Sequence, residues 1–137
     1  MKKWLYWIAL SSAVGMLSGC NSSQTTSVIQ PQEISRDSAC ALDGMLLADY
    51  PGPKAQIFYE GHTQGEFFCD TVEMFSLYLK PEQARRVKAL YVQDMGQAKW
   101  EEPRGHWVDA KTAFYVKGSR KHGAMGPTLV SFAQEEH

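Results

Sequence analysis

At 137 residues the chain has room for one small domain with a modest core, and not for two. Its 14 lysines and arginines face 15 aspartates and glutamates, and cleavage after residue 19 would remove Lys2 and Lys3, leaving 12 against 15 and a net charge of −3. A surface of that sign does not attract a polyanion, so nucleic acid is not an expected partner, and no solenoid-length repeat is present.

The chain starts with the basic Met1-Lys2-Lys3, followed by an apolar run from Trp4 to Leu17 broken only by Ser11, Ser12 and Gly15. That order is a signal peptide's, and the run is shorter than the roughly 20 apolar residues that a bilayer-spanning helix needs. It closes on Leu17-Ser18-Gly19-Cys20, which resembles the lipobox cut by lipoprotein signal peptidase. Residues 1–19 are therefore expected to be a lipoprotein signal peptide, with Cys20 the acylated first residue of a mature protein facing the periplasm. A plain secretory signal, or an N-terminal anchor helix with a chance cysteine, is the competing reading. Asn21, where Asp would favour retention, points to the outer rather than the inner membrane. From there to Asp37 only Val28, Ile29 and Ile34 are bulky and apolar, so residues 20–37 are expected as a flexible tether.

The folded part is expected over 38–137. Tyr50-Pro51-Gly52-Pro53 reads as a turn. Ala55 to Tyr59 reads as a strand with Ile57 and Tyr59 on one face and Gln56 and Phe58 on the other, followed by a hairpin loop at 61–65 and a returning strand at 66–69. Asp70 with Glu73 forms a capping-box pattern, and Val72, Phe75 and Leu79 share a helical face up to Pro81. Val87 to Gln93 alternates as a strand, Trp107 to Lys117 supplies more, 117–127 is irregular, Thr128 to Phe132 is a last apolar segment, and 133–136 looks like a helix just begun. The architecture predicted is α+β in a ββαβ-like order.

With Cys20 acylated, two cysteines remain, Cys40 and Cys69, which an oxidising compartment would by default join in a disulfide. Against that bridge stands the setting of Cys40. Cys40-Ala41-Leu42-Asp43-Gly44-Met45 places a thioether five residues after a thiol, with a glycine that lets the backbone fold back, and soft sulfur donors select Cu(I). Met95 and Met125 sit beside glycines in loops, poorly supplied with packing partners, although methionine more often fills core gaps. Met74 belongs to the core. None of the histidines forms a zinc-like pair; His106 or His122, each in a glycine-rich loop, is a candidate to complete a three-coordinate copper site, with an exposed loop histidine as the alternative. No nucleophile and base, split carboxylate pair or phosphate loop is evident, so an enzyme is not expected.

Taken together these residues resemble one family, the nitrous oxide reductase accessory lipoproteins called NosL. The resemblance rests on Cys20, on Cys40 with Gly44-Met45, on 49–54 (Asp-Tyr-Pro-Gly-Pro-Lys), on Phe68-Cys69 ahead of Glu73-Met74, and on Leu90-Tyr91-Val92 with Asp94-Met95-Gly96. It extends through Trp100-Glu101, Asp109-Ala110, Tyr115-Val116 and 123–126 (Gly-Ala-Met-Gly), nearly the whole mature chain. The family pattern is Cys-x-x-Cys-Gly-Met, from which this chain departs by carrying Asp43 in place of the second cysteine. The resemblance implies paired ββαβ units similar to organomercurial lyase, a Cu(I) cargo, and delivery to nitrous oxide reductase through a membrane-bound assembly complex. It matches Cys40 and Met45 to the motif, so that with the loop candidates the expected metal ligands are Cys40, Met45, Met95, Met125 and His106, and it implies a family chain that continues past residue 137. Two rivals remain: a structural or adaptor envelope lipoprotein with a Cys40–Cys69 disulfide, and a thiol-dependent enzyme using Cys69.

Overall fold

The structure is a computed structural model that describes residues 28–136; the expected signal peptide and Cys20 lie outside the described residues. Strand β1 (Ala55–Tyr59) pairs antiparallel with β2 (Glu66–Phe68) and with β3 (Val87–Gln93), and β3 pairs with β4 (Trp107–Asp109). The four form one sheet in the order β2-β1-β3-β4. Helix α1 (Thr71–Tyr78) follows β2 directly, so the chain runs ββαβ and the α+β class is the one expected.

Alternation along the strands divides the buried residues into two cores, because successive side chains leave a strand on opposite faces. Ala55, Ile57 and Tyr59 of β1, Phe68 of β2, and Leu90 and Val92 of β3 gather around Met74 of α1 on one face. On the other, Phe58 meets Tyr91 edge to face and Phe67 tilts against Trp107. A second cluster of Ile34, Cys40, Leu47 and Cys69 packs with Phe67 and Trp107. The alternation Phe67, Phe68, Cys69 at the end of β2 thus sends Phe68 into the first core and Cys69 into the second.

Part of the expected tether is instead laid along the domain. The main-chain N–H of Gln32 donates to Gln56 Oε1 at 2.9 Å and Gln56 Nε2 donates to the Gln32 carbonyl at 2.7 Å. Tyr91 donates its hydroxyl to the Ile29 carbonyl, Trp107 Nε1 to Glu33 at 3.1 Å, and Arg104 to the Ile34 carbonyl at 2.6 Å. Ile34 is buried in the second core. A polar segment with few apolar residues orders here because its backbone finds fixed partners on the sheet, a source of order that composition does not register. The domain boundary expected at Ser38 therefore moves back to about Ile29.

Three further expectations are corrected. The single strand expected over 107–117 is broken at Ala110–Ala113, where Asp109 accepts from the N–H groups of Lys111, Thr112 and Ala113 and turns the chain. Beyond the break β5 (Phe114–Val116) leaves the sheet and pairs with β8 (Val130–Phe132). The irregular stretch contains a two-rung hairpin, β6 (His122–Gly123) with β7 (Gly126–Pro127). Residues 133–136 are bend and turn, not the start of a helix.

Candidate metal centre

Residues 38–47 fold into a small loop against the edge of the sheet. Cys40 N–H donates to the Met45 carbonyl at 2.8 Å, Gly44 N–H to the Cys40 carbonyl at 2.9 Å, and Asp43 Oδ1 accepts from Met45 N–H at 3.0 Å. Gly44 makes the reversal possible, since its φ of 77° is a conformation that residues with a Cβ rarely adopt. The reversal brings Met45 back against Cys40.

The loop is fastened to β2 by a parallel bridge between Cys40 and Phe67 and by Ala41 N–H donating to the Phe67 carbonyl at 2.8 Å. Cys40 therefore lies beside Cys69, which follows β2 and precedes the cap of α1, so that Glu73 of the first turn reaches both. Asp70 caps that helix, accepting from Val72 N–H at 2.9 Å. Glu73, at the position of a reciprocal capping box, turns its carboxylate to the sulfurs. Cys69 Sγ donates to Glu73 Oε2 at 3.0 Å and Cys40 Sγ to the same oxygen at 3.4 Å. One ligand atom each from Cys40, Asp43, Cys69 and Glu73 lies within 4.8 Å of every other.

Cys40 is 4 % exposed and Cys69 0 %, both as free thiols, whereas Asp43 is exposed and Glu73 half-buried. The sulfurs are thus the floor of the site and the carboxylates its opening. Burial pushes both thiols above the ordinary thiol range, and the Glu73 carboxylate pushes them further. Without a cation the pair holds its protons.

The other proposed ligands are placed unequally. Met45 packs against the cluster that contains both cysteines. Met125 lies in the β6–β7 turn with its side chain 56 % exposed, next to Ala124, which packs on the same cluster. Met95 lines a separate hollow with Trp100, Val116, Val130 and Phe132. His106 is exposed in a shallow depression among Gln97, Lys99, Glu102 and Arg104 and is not one of the clustered ligand residues. Sequence reasoning gave Cys69 a bridging role and read Glu73 as a helix cap. The available signal was their i, i+4 spacing across the start of a helix, which places the two side chains together.

The NosL family model matches residues 31–137. The chain belongs to the NosL family. It is 38% identical over 122 residues to the copper-binding lipoprotein NosL of Stutzerimonas stutzeri, covering 88% of this chain and 63% of that protein, so it spans less than two thirds of that relative's length. It is 35% identical over 140 residues to the copper-binding lipoprotein NosL of Achromobacter cycloclastes, covering 99% of this chain and 72% of that one. The crystal structure of the copper chaperone NosL from Shewanella denitrificans superposes with a TM-score of 0.74 at 38% identity, over 79% of this chain and 81% of that chain. The fold of this NosL-family chain and that of a copper chaperone are the same.

Proposed function

We propose that the chain binds Cu(I) through Cys40 and Cys69, with the Met45 thioether beside them, and delivers it for maturation of the copper centres of nitrous oxide reductase. The observation that carries the reading is the convergence of two buried thiols on a single carboxylate oxygen. The donors fit the cargo: thiolate and thioether sulfur prefer a soft d10 cation, and both thiols are buried. Binding displaces the thiol protons, and Glu73 is placed to accept them on the way to solvent. The relatives named as copper-binding lipoproteins support the same cargo.

In this reading Cys20 carries the acyl chains that hold the protein on the periplasmic side of a membrane, the outer membrane by the residue at 21, within reach of a membrane-bound assembly complex and of nitrous oxide reductase. One chain alone gives marginal attachment and several give a firm one. Loss of labelled palmitate incorporation in a Cys20→Ser variant is the expected check.

Titration of the reduced protein with Cu(I) against a competing chelator under anaerobic conditions tests the cargo. Cys40→Ser and Cys69→Ser should each weaken binding by about a hundredfold or more, the scale of losing one of very few first ligands, and His106→Ala should leave it unchanged. Undiminished affinity in the double cysteine variant would remove the basis of the proposal. The closeness of the two thiols also suits the disulfide of a structural envelope lipoprotein. Mass analysis of alkylated protein drawn from the periplasm separates the two, because a quantitative bridge favours the structural role.

A further inference from the structure

Bonded to the main chain of Cys69 is a lysine that the copper-binding scheme does not use. Lys54 precedes β1, and its side chain is 0 % exposed. Its Nζ donates to the Pro51 carbonyl at 2.9 Å and to the carbonyl of Cys69 itself at 3.1 Å, while its main-chain N–H donates to Gln93 Oε1 at 3.0 Å. Among the described residues no carboxylate pairs with it within 4.0 Å. The acidic groups whose charge it senses are Cys69, Asp70, Glu73 and Cys40, two of them the thiols of the metal centre.

Burying an ammonium costs several kcal/mol. Two carbonyl bonds offset part of that, yet a neutral donor would pin the same carbonyls without the penalty. What a neutral donor cannot supply is positive charge at the backbone of Cys69, one of the two thiol residues. Two thiols carry no net charge. When they lose their protons and take up a monovalent cation the unit carries −1, and when they take up a divalent cation it carries 0. The charges of Glu73 and Asp70 enter both balances equally. A fixed cation close by in a poorly screened interior therefore favours the first product and is indifferent to the second.

We propose that Lys54 is a positioning residue for the cargo: its buried ammonium is the counter-charge of a monovalent ion held between two thiolates, and it sets the preference of the site for a monovalent over a divalent soft cation. This rests on the reading of Cys40 and Cys69 as the copper ligands.

The test compares affinities for Cu(I), Ag(I) and Zn(II) in the wild type, Lys54→Met and Lys54→Gln, with folding checked by circular dichroism. Lys54→Gln keeps a donor for the carbonyls and removes only the charge. In both variants Cu(I) and Ag(I) affinity should fall about tenfold or more, which is about 1.4 kcal/mol, while Zn(II) affinity changes by less than about threefold. A purely structural lysine would lower all three together, and that result overturns the proposal, as does an unchanged Cu(I)-to-Zn(II) ratio. Should neither variant fold, the side-chain 15N resonance of Lys54 in the wild type decides: it should shift on loading with Ag(I) and stay in place with Zn(II), and equal shifts count against the idea. If the wild type binds no Cu(I), the copper reading itself fails, an outcome distinct from a wild type that binds and a Lys54→Gln variant that binds equally.

Discussion

Two glycines show how tightly single positions bound the thiol site. A Cβ at Gly123 would lie 2.2 Å from Asp70 Oδ2, so the β6–β7 hairpin can rest on the helix cap only with glycine there. Gly123→Ala should destabilise the protein by about 2–4 kcal/mol through overpacking of a buried polar site. Gly44→Ala meets no atom within 4 Å and should cost only about 1 kcal/mol, the strain of its positive φ; urea midpoints for the two variants check the order. Glu73→Gln removes the negative charge that both thiols face, so their ionisation, followed by thiolate absorbance against pH, should move to lower pH. The Cys40-to-Met45 half of this site was legible in the sequence because glycine announces a reversal. The Cys69-to-Glu73 half was not, because Asp70-x-x-Glu73 matches a capping box equally well, and only the neighbouring loop at the sheet edge gives Glu73 something better to accept from.

The ββα unit and β3 were readable from alternation and from the Asp70 cap, since local rules dominate there. The orientation of α1 was readable only in part. Met74 lies in the core as expected and Phe75 packs against it, but Thr71 is turned fully inward as well, and Leu79 of the expected stripe is 70 % exposed. Thr71 is tolerated inside because its hydroxyl donates to the Leu129 carbonyl at 2.6 Å and meets Thr128 at 3.1 Å. In a helix of eight residues such contacts outweigh a weak stripe. Met74→Ala should accordingly cost about 2–5 kcal/mol, whereas Leu79→Ala should stay within about 0.5 kcal/mol, as measured by chemical denaturation. The break at 110–113 escaped the sequence for a related reason: Trp107 to Lys117 has strand-like residues throughout, and what ends the strand is one aspartate accepting from three successive N–H groups.

For the molecule as a whole the two elevated thiols carry a pH signature. A group that holds its proton more tightly folded than unfolded contributes its full stability below the unfolded value and loses it as pH rises towards the folded one. Above about pH 8.5, where unfolded thiols ionise, the metal-free wild type should therefore lose stability relative to the Cys40→Ser, Cys69→Ser variant with a slope of at most about 2.7 kcal/mol per pH unit, the linkage of two protons, with the two curves parallel below about pH 7. Lys54, lowered to about 8 mainly by burial, contributes the opposite slope, and because it senses both thiols the comparison reads Cys40, Cys69 and Lys54 as one coupled group. The docked segment from Ile29 to Ile34 has a mechanical consequence of its own. With that stretch glued to the sheet, only eight chain steps separate Cys20 from Val28, a leash of no more than about 30 Å. If Cys20 carries the proposed lipid, the domain stays within about that distance of the membrane surface, and a receiver of the proposed cargo has to come to it there.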